Sequence, residues 1–190
     1  NNQLLFKPYV IEQKYGLNIA FIGLSSVFSF DNINVKPPIE ALKSLMDEVA
    51  MKSDIRVLLF SSNSHDMKAL QETDNIDLTL IIRSSDKGRS SNGGPDIPAY
   101  SVGDKGKLLY QFDLETNEVQ MPYTDIAWCN STIGTYEKRL EKMKKGNMLT
   151  DLHAMFKDDP GTLKRILLYE SKIEEANKRL ANVVNKITFN

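Results

Sequence analysis

The residues best suited to chemistry in this sequence follow an apolar run at positions 78–82, Leu-Thr-Leu-Ile-Ile. The segment 83–86, Arg-Ser-Ser-Asp, stands where a strand buried on both faces would emerge from the core. Ligands of open α/β sheets bind at that edge of the sheet. A guanidinium group with hydroxyls beside it suits phosphate or carboxylate. The pattern therefore predicts a candidate anion site made of Arg83, Ser84, Ser85, Lys87 and Arg89. The alternative for this segment is a solvated loop without a ligand.

Metal and thiol chemistry are restricted by composition, because the chain has one cysteine and two histidines. Cys129 cannot form an internal disulfide, and it has no basic neighbour in sequence to activate its thiol. His65 is expected in the first turn of a helix capped by Ser64 or Asn63, with a role as substitute metal ligand as the alternative. His153 lies in a helical region and is expected to be structural or exposed. A metal cluster rich in nitrogen or sulfur cannot be assembled from this chain alone.

The overall composition excludes several classes of function. Hydrophobic residues make up 41% and charged residues 26% of the chain, and the net charge is −1, as in an ordinary globular protein. Neither charge sign dominates, so we expect no nucleic-acid partner. No apolar run approaches the roughly 20 residues of a membrane span, so none is expected. The first residue is Asn1 rather than Met, which favours removal of an upstream signal, leader or larger segment.

The first 115 or so residues alternate strand and helix signals. A hairpin is predicted from strands over 9–13 and 17–24, joined by a turn at 14–16. A helix follows Pro37-Pro38, then a strand over 55–60, a short helix around 67–70 and a third buried strand within 76–86. Strands linked through helices pair in parallel, so the middle of the sheet should be parallel. The fold class expected is α/β.

The C-terminal part has a different character from residue 131 onward. Strand signals continue to about residue 128, where Pro122 indicates an edge strand. Two helices follow, and the last one carries a seven-residue apolar repeat made of Ile166, Ile173, Leu180 and Ile187. We predict an antiparallel helical hairpin that packs on itself, or on a partner chain through this stripe. The chain is thus divided into an α/β region over 1–129 and a helical extension over 130–190.

The order of these elements resembles the second half of a calcineurin-like metallophosphoesterase domain, of the secreted bacterial 5′-nucleotidase type. Four segments carry the resemblance over residues 7 to about 115, namely KPYVIEQKYGLNIAFIGLSS, PPIEALKSLMDEVAMKSDIRVLLFSS, NIDLTLIIRSSD and IPAYSVGDKGKLLYQFDLE. The family's closing Gly-x-x-Gly-Lys-x-Leu element and Asp-Leu strand end are matched by Gly103, Gly106, Lys107, Leu108, Asp113 and Leu114. The resemblance implies a partial metallophosphoesterase-like sheet, mixed with a parallel core.

The resemblance also implies a pair of metal ions that activate water against a phosphate ester. Three histidines of this half should bind them, and their positions are occupied here by Ser61, Arg83 and Ser85. Serine hydroxyls are poor ligands for transition metals. At ~4 Å and an effective dielectric of ~20, Arg83 would repel each unit of cationic charge by about 4 kcal/mol. The family's first-half motifs, Asp-x-His and Asn-His, do not occur in the 190 residues.

We therefore expect a non-catalytic relative of this family, without a cofactor and with a role in binding or assembly. The alternative is a phosphoesterase using Mn or Zn, completed by an upstream segment or a partner chain that carries the remaining ligands. A weaker hypothesis makes the heptad-bearing helices the functional part, as a docking or self-association element. By resemblance, the protein is expected in the bacterial periplasm or at the cell surface.

Overall fold

The computed structural model of the protein describes residues 4–28, 33–74, 76–85, 90–91, 97–103, 109–144 and 150–189. The helices described are α1 (Pro38–Lys52), α2 (Ser64–Gln71), α3 (Ile126–Met143), α4 (Leu152–Met155) and α5 (Pro160–Ala181). The strands described are β1 (Tyr9–Lys14), β2 (Leu17–Ser25), β3 (Ile55–Ser61), β4 (Leu80–Ser85), β5 (Ser90–Ser91), β6 (Ala99–Gly103), β7 (Phe112–Glu115), β8 (Tyr123–Asp125) and β9 (Asn185–Phe189). The predicted α/β class is confirmed, with a mixed sheet and a C-terminal helix.

The predicted N-terminal hairpin is formed by β1 and β2, which pair antiparallel. Tyr15 and Gly16 make its two-residue turn, with φ angles of +50° and +81°. Two positive φ angles give a turn whose twist matches that of the flanking strands. Glycine adopts this conformation without a steric penalty, whereas Tyr15 is a non-glycine residue in the left-handed region.

The large sheet has the strand order β1-β2-β3-β4-β6-β5 and a parallel middle. The pairs β2–β3, β3–β4 and β4–β6 are parallel, and the outer pairs β1–β2 and β5–β6 are antiparallel. Helices α1 and α2 cover one face, where a buried apolar cluster includes Leu42 and Met46 of α1, Met67 of α2 and Leu58 and Ile81 of the sheet. Because successive side chains of a strand point to opposite faces, this cluster occupies one face of the sheet. The other face is available to a second core.

A second, three-stranded sheet with the order β7-β9-β8 contributes to that second core. Val57, Leu80 and Tyr100 of the large sheet are buried together with Tyr123 and Ile187 of the small one. The Tyr100 ring lies 4.7 Å from Phe189 and 5.0 Å from Phe112, centroid to centroid. The two sheets therefore pack face to face around aromatic side chains.

Helices α3 and α5 pack against each other within the chain. The rings of Tyr136 and Tyr169 lie 5.3 Å apart, and the Arg179 guanidinium lies 5.6 Å from the Trp128 ring. Positions early in α3 meet positions late in α5, so the helices run antiparallel. Ile166 and Ala176 of α5 are buried.

Two predictions for the C-terminal region are corrected by the structure. Ile187 does not continue the helical stripe of Ile166, Ile173 and Leu180, because α5 ends at Ala181 and Ile187 lies in β9. Its spacing fits both a heptad repeat and the alternation of a strand, and pairing with β7 and β8 decides for the strand. The division at residues 129 and 130 falls inside α3, and the segment 130–190 is not wholly helical.

Asn185 is the first residue of β9, shortly after helix α5 ends, and it anchors the small sheet. Its side chain is fully buried and is held by four hydrogen bonds to the 117–121 segment. The Oδ1 atom accepts from the backbone N–H groups of Asn117 and Glu118. The Nδ2 group donates to the carbonyls of Glu118 and Met121. A buried amide is tolerated only when it is satisfied in this way, so Asn185 fixes the register of the small sheet.

Candidate functional site

Arg83 lies near the carboxyl end of β4, with its side chain on the face that α2 covers. Its Cα is paired with Phe60 on β3 and with Ser101 on β6. The residue is half-buried, and its Nε atom is buried without a hydrogen-bond partner among the described residues. An arginine carries five donors and no acceptor, so a buried donor without an acceptor is unfavourable. This unsatisfied group distinguishes Arg83 from Arg56 of β3, whose three guanidinium nitrogens all have partners.

A pocket of about 120 Å³ opens between α2 and the sheet beside Arg83. Its described lining consists of Ser64, Met67, Lys68, Gln71, Arg83, Ala99 and Ser101. Two of these side chains are cationic, two are hydroxyls and one is an amide. No carboxylate belongs to the lining among the residues that the structure describes. The pocket thus presents hydrogen-bond donors and positive charge, which suits an anion.

Helix α2 brings its polar side chains to the pocket through its local structure. The helix begins after Asn63, whose Oδ1 accepts from the backbone N–H of Asp66 at 2.8 Å. Ser64, Lys68 and Gln71 then follow at spacings of four and three, which places them on one side of the helix. Met67 and Leu70 are buried against the sheet and hold the helix in place.

Ser101 and Lys68 complete the pocket from opposite sides. Ser101 is 5% exposed, on the face of β6 that also carries Ala99. The Lys68 side chain is 74% exposed, and its Nζ lies 3.5 Å from Glu72, which is itself 65% exposed. An exposed ion pair of this kind contributes little to stability, so Lys68 can leave Glu72 for another partner at small cost. Lys68 can therefore turn its charge towards a bound anion.

Two of the other residues singled out in the sequence, Ser84 and Ser61, do not converge on this pocket. Ser84 is exposed and follows Arg83 directly, so strand alternation places its side chain on the opposite face. Ser61 is exposed at the end of β3, and Phe60 beside it belongs to the core on the α2 face, so Ser61 projects away from Arg83. Ser85 is paired with Gly103 through the backbone. Lys87 and Arg89 lie outside the described residues.

The carboxyl ends of β2 and β3 are joined by a polar network around Ser26. Its backbone N–H donates to the carbonyl of Ser61 at 2.9 Å, and its Oγ accepts from the backbone of Asn63 at 3.0 Å. A hydrogen bond from Ser26 lowers the pKa of Asp66, and His65 acts in the same direction. His65 is 90% exposed in the first turn of α2, with Asn63 as the cap, as the sequence predicts.

The remaining candidates for chemistry lie away from the pocket. Burial raises the pKa of the Cys129 thiol, which keeps it in the unreactive protonated form. The His153 ring lies 2.9 Å from the Glu170 carboxylate, where it links α4 to α5 at the surface. Within the described ranges, no group of three or more His, Cys, Asp or Glu side chains is arranged to hold a metal ion. No described helix is long and apolar enough to cross a membrane.

Sequence reasoning identified Arg83 but missed Lys68, Gln71, Ser64 and Ser101. The polar positions of α2 and the inward-facing serine of β6 are each visible in the sequence as polar residues beside apolar ones. Their convergence depends on α2 packing over β4 and β6, which no local pattern specifies. The available signal was Ser101 itself, because a polar residue on the core face of a strand needs a partner or a ligand.

Comparison of the sequence with protein-family models gives no match, and comparison with curated proteins gives none either.

Proposed function

We propose that the protein is a non-catalytic relative of the calcineurin-like metallophosphoesterases, with a role in binding or assembly at the bacterial periplasm or cell surface. The observation that carries this proposal is Arg83 at the carboxyl end of the parallel sheet. In the resemblance this position belongs to a metal ligand. Here it holds a cation whose Nε is buried and finds no partner within the described ranges. A metal ion beside this guanidinium would be repelled rather than bound.

The direction of the Ser61 side chain adds a second argument. Ser61 and Arg83 are on neighbouring strands, but they project from opposite faces of the sheet. Two groups on opposite faces cannot coordinate the same pair of ions, which lie about 3.5–4 Å apart in two-metal sites. A hydroxyl and a guanidinium are also unsuited to that role by their chemistry.

The uncovered part of the sheet supports a role in assembly. Leu59 lies on the central strand β3 and is 43% exposed, on the face where the small sheet buries Val57. Val27 and Phe28, which follow β2, are 58% and 49% exposed. Exposed apolar side chains beside an inner strand favour contact with a further segment or chain.

Metal analysis and a hydrolysis assay test the proposal. We expect protein purified without chelators to carry far less than one equivalent of Mn, Zn or Fe. We also expect no hydrolysis of nucleotide or phenyl-phosphate esters when Mn²⁺ or Zn²⁺ is added. Stoichiometric metal with metal-dependent hydrolysis would instead favour the alternative, a phosphoesterase completed by an upstream segment or a partner chain, with Arg83 on the substrate phosphate.

A further inference from the structure

The pocket between α2 and the sheet has features that are typical of an anion-binding site. Arg83 contributes a buried Nε donor that no described residue satisfies. Lys68 contributes a second positive charge, which its exposed neighbour Glu72 only partly offsets. Buried donors in proteins are normally paired, so this guanidinium keeps hydrogen-bonding capacity that an oxyanion in the pocket can use.

The neutral groups around these two cations are also donors. Ser64, Gln71 and Ser101 line the pocket, and their side chains carry hydroxyl and amide groups. The hydroxyls donate to an oxyanion by rotating, and the amide presents its NH₂ group. The volume of about 120 Å³ is well above the roughly 10–15 Å³ that a single water molecule requires. A tetrahedral oxyanion therefore has both the room and the partners that it needs.

We propose that this pocket, formed by Arg83, Lys68, Ser101, Ser64 and Gln71, binds a phosphate group. Two positive side chains match the double negative charge of phosphate or of a phosphate monoester better than that of a single carboxylate. Lys68 is largely exposed at the pocket, so the organic part of a monoester can extend into solvent. This proposal rests on the proposed function, because it names the ligand class of a fold that keeps binding without catalysis.

The site differs from the anion cluster that the sequence alone indicates. Ser84 lies on the opposite face from Arg83, and Lys87 and Arg89 are outside the described residues. The described pocket adds Lys68 from α2 and Ser101 from β6. Arg83 is common to both versions, so it is the first residue to change in a test.

Isothermal titration calorimetry with inorganic phosphate tests the proposal at constant ionic strength, with chloride and acetate as comparison anions. We expect saturable binding of phosphate but not of chloride or acetate. Arg83→Gln should weaken binding by about tenfold or more, because a charge-assisted hydrogen bond is lost. Lys68→Gln should weaken it by a smaller factor. Lys43→Gln, which changes an exposed lysine of α1, is the matched control and should leave the affinity unchanged.

The same titration with methyl phosphate separates two sources of the ligand. Comparable binding assigns the site to phosphate monoesters, and binding of inorganic phosphate alone assigns it to the free ion. The proposal is overturned if no phosphate binds, or if Arg83→Gln and Lys68→Gln bind it like the wild type. Circular dichroism verifies folding, and Lys68→Gln changes an exposed side chain that folding does not require.

This experiment and the test of the proposed function can fail separately. Metal-dependent hydrolysis would contradict the non-catalytic role whatever phosphate does in this pocket. Absence of phosphate binding in a metal-free, inactive protein would remove the phosphate site alone.

Discussion

The two ends of the large sheet use arginine in opposite ways. At the amino end of β3, the Arg56 side chain is 10% exposed, and each of its nitrogen atoms has a partner. Nε donates to the Asp77 carbonyl at 2.7 Å, one terminal nitrogen to the Ser53 carbonyl at 2.9 Å, and the other to the Asp77 carboxylate at 2.8 Å. At the carboxyl end of β4, Arg83 is half-buried, and its Nε has no partner in the part of the chain that the structure describes.

This difference distinguishes a structural arginine from an arginine that is available to a ligand. Arg56 and Arg83 lie on neighbouring strands and on the same face of the sheet. Arg56 binds Ser53, which precedes β3, and Asp77, which precedes β4, so its guanidinium stabilises the fold. Arg83 faces the pocket beside α2, where none of the described lining residues carries a negative charge. The pairing of Nε separates the two residues, because the Nε of Arg56 donates to a carbonyl and that of Arg83 has no acceptor among the described residues.

Removing the Arg56 guanidinium should give the largest loss of stability. Arg56→Met leaves the carbonyls of Ser53 and Asp77 without their donors, at a cost of about 2–4 kcal/mol in the free energy of unfolding. Urea unfolding followed by circular dichroism measures this loss. A loss below about 0.5 kcal/mol would mean that water replaces the donors, and the contrast between the two arginines would then disappear.

A smaller effect is expected at Tyr100, which lies next to Ser101 on β6 but points to the opposite face. Its hydroxyl donates to the Asp125 carboxylate at 2.9 Å, and its side chain is 1% exposed. Tyr100→Phe should cost about 1–2 kcal/mol, since a hydrogen bond to a charged acceptor is lost. A loss of stability in this range would show that the Tyr100 hydroxyl, which lies outside the pocket, is satisfied by Asp125.

Tyr100 also predicts a dependence of stability on pH. Burial and the negative charge of Asp125 raise the pKa of its phenol well above the ordinary value of 10.0. Unfolding therefore releases a proton above pH 10, and the wild type loses stability there by up to about 1.4 kcal/mol per pH unit from this group. The stability difference between the wild type and Tyr100→Phe should narrow above pH 10. Tyr15→Phe, at a fully exposed tyrosine, is the control that should show no such change.

The smallest effect on stability is expected at Arg83. Arg83→Met removes a guanidinium whose Nε is buried without a partner, so the free energy of unfolding should change by less than about 0.5 kcal/mol. The comparison with Arg56→Met uses the same substitution on the same face of one sheet. A loss for Arg83→Met as large as that for Arg56→Met would show that Arg83 is structural.

Sequence patterns predicted the elements whose signals are local. The hairpin of β1 and β2, helix α1 and strand β3 were found because alternation, a Pro-Pro start and apolar runs act over a few residues. Strand β9 was missed because Ile187 satisfies the helical repeat as well as strand alternation. Its pairing partner β7 is about 70 residues away, and only the folded chain brings the two together.

The candidate site was predictable only in part, for the same reason. Arg83 could be identified because it directly follows the buried apolar run 78–82, and that position is set by the local pattern. Lys68 and Ser101 join it through packing of α2 across two strands, which depends on side chains throughout the core. The expectation that Ser61 and Arg83 share one site assumed that both face the same way, and strand alternation separates them.

The central proposal is that Arg83 places a cation where a metallophosphoesterase would place a metal ligand, so that no metal pair binds at the carboxyl end of the sheet. An anomalous-difference map from crystals grown with Mn²⁺ tests it most directly. The account predicts no peak beside Ser61 or Arg83. Two strong peaks beside these residues, separated by about 3.5–4 Å as in two-metal sites, would contradict it.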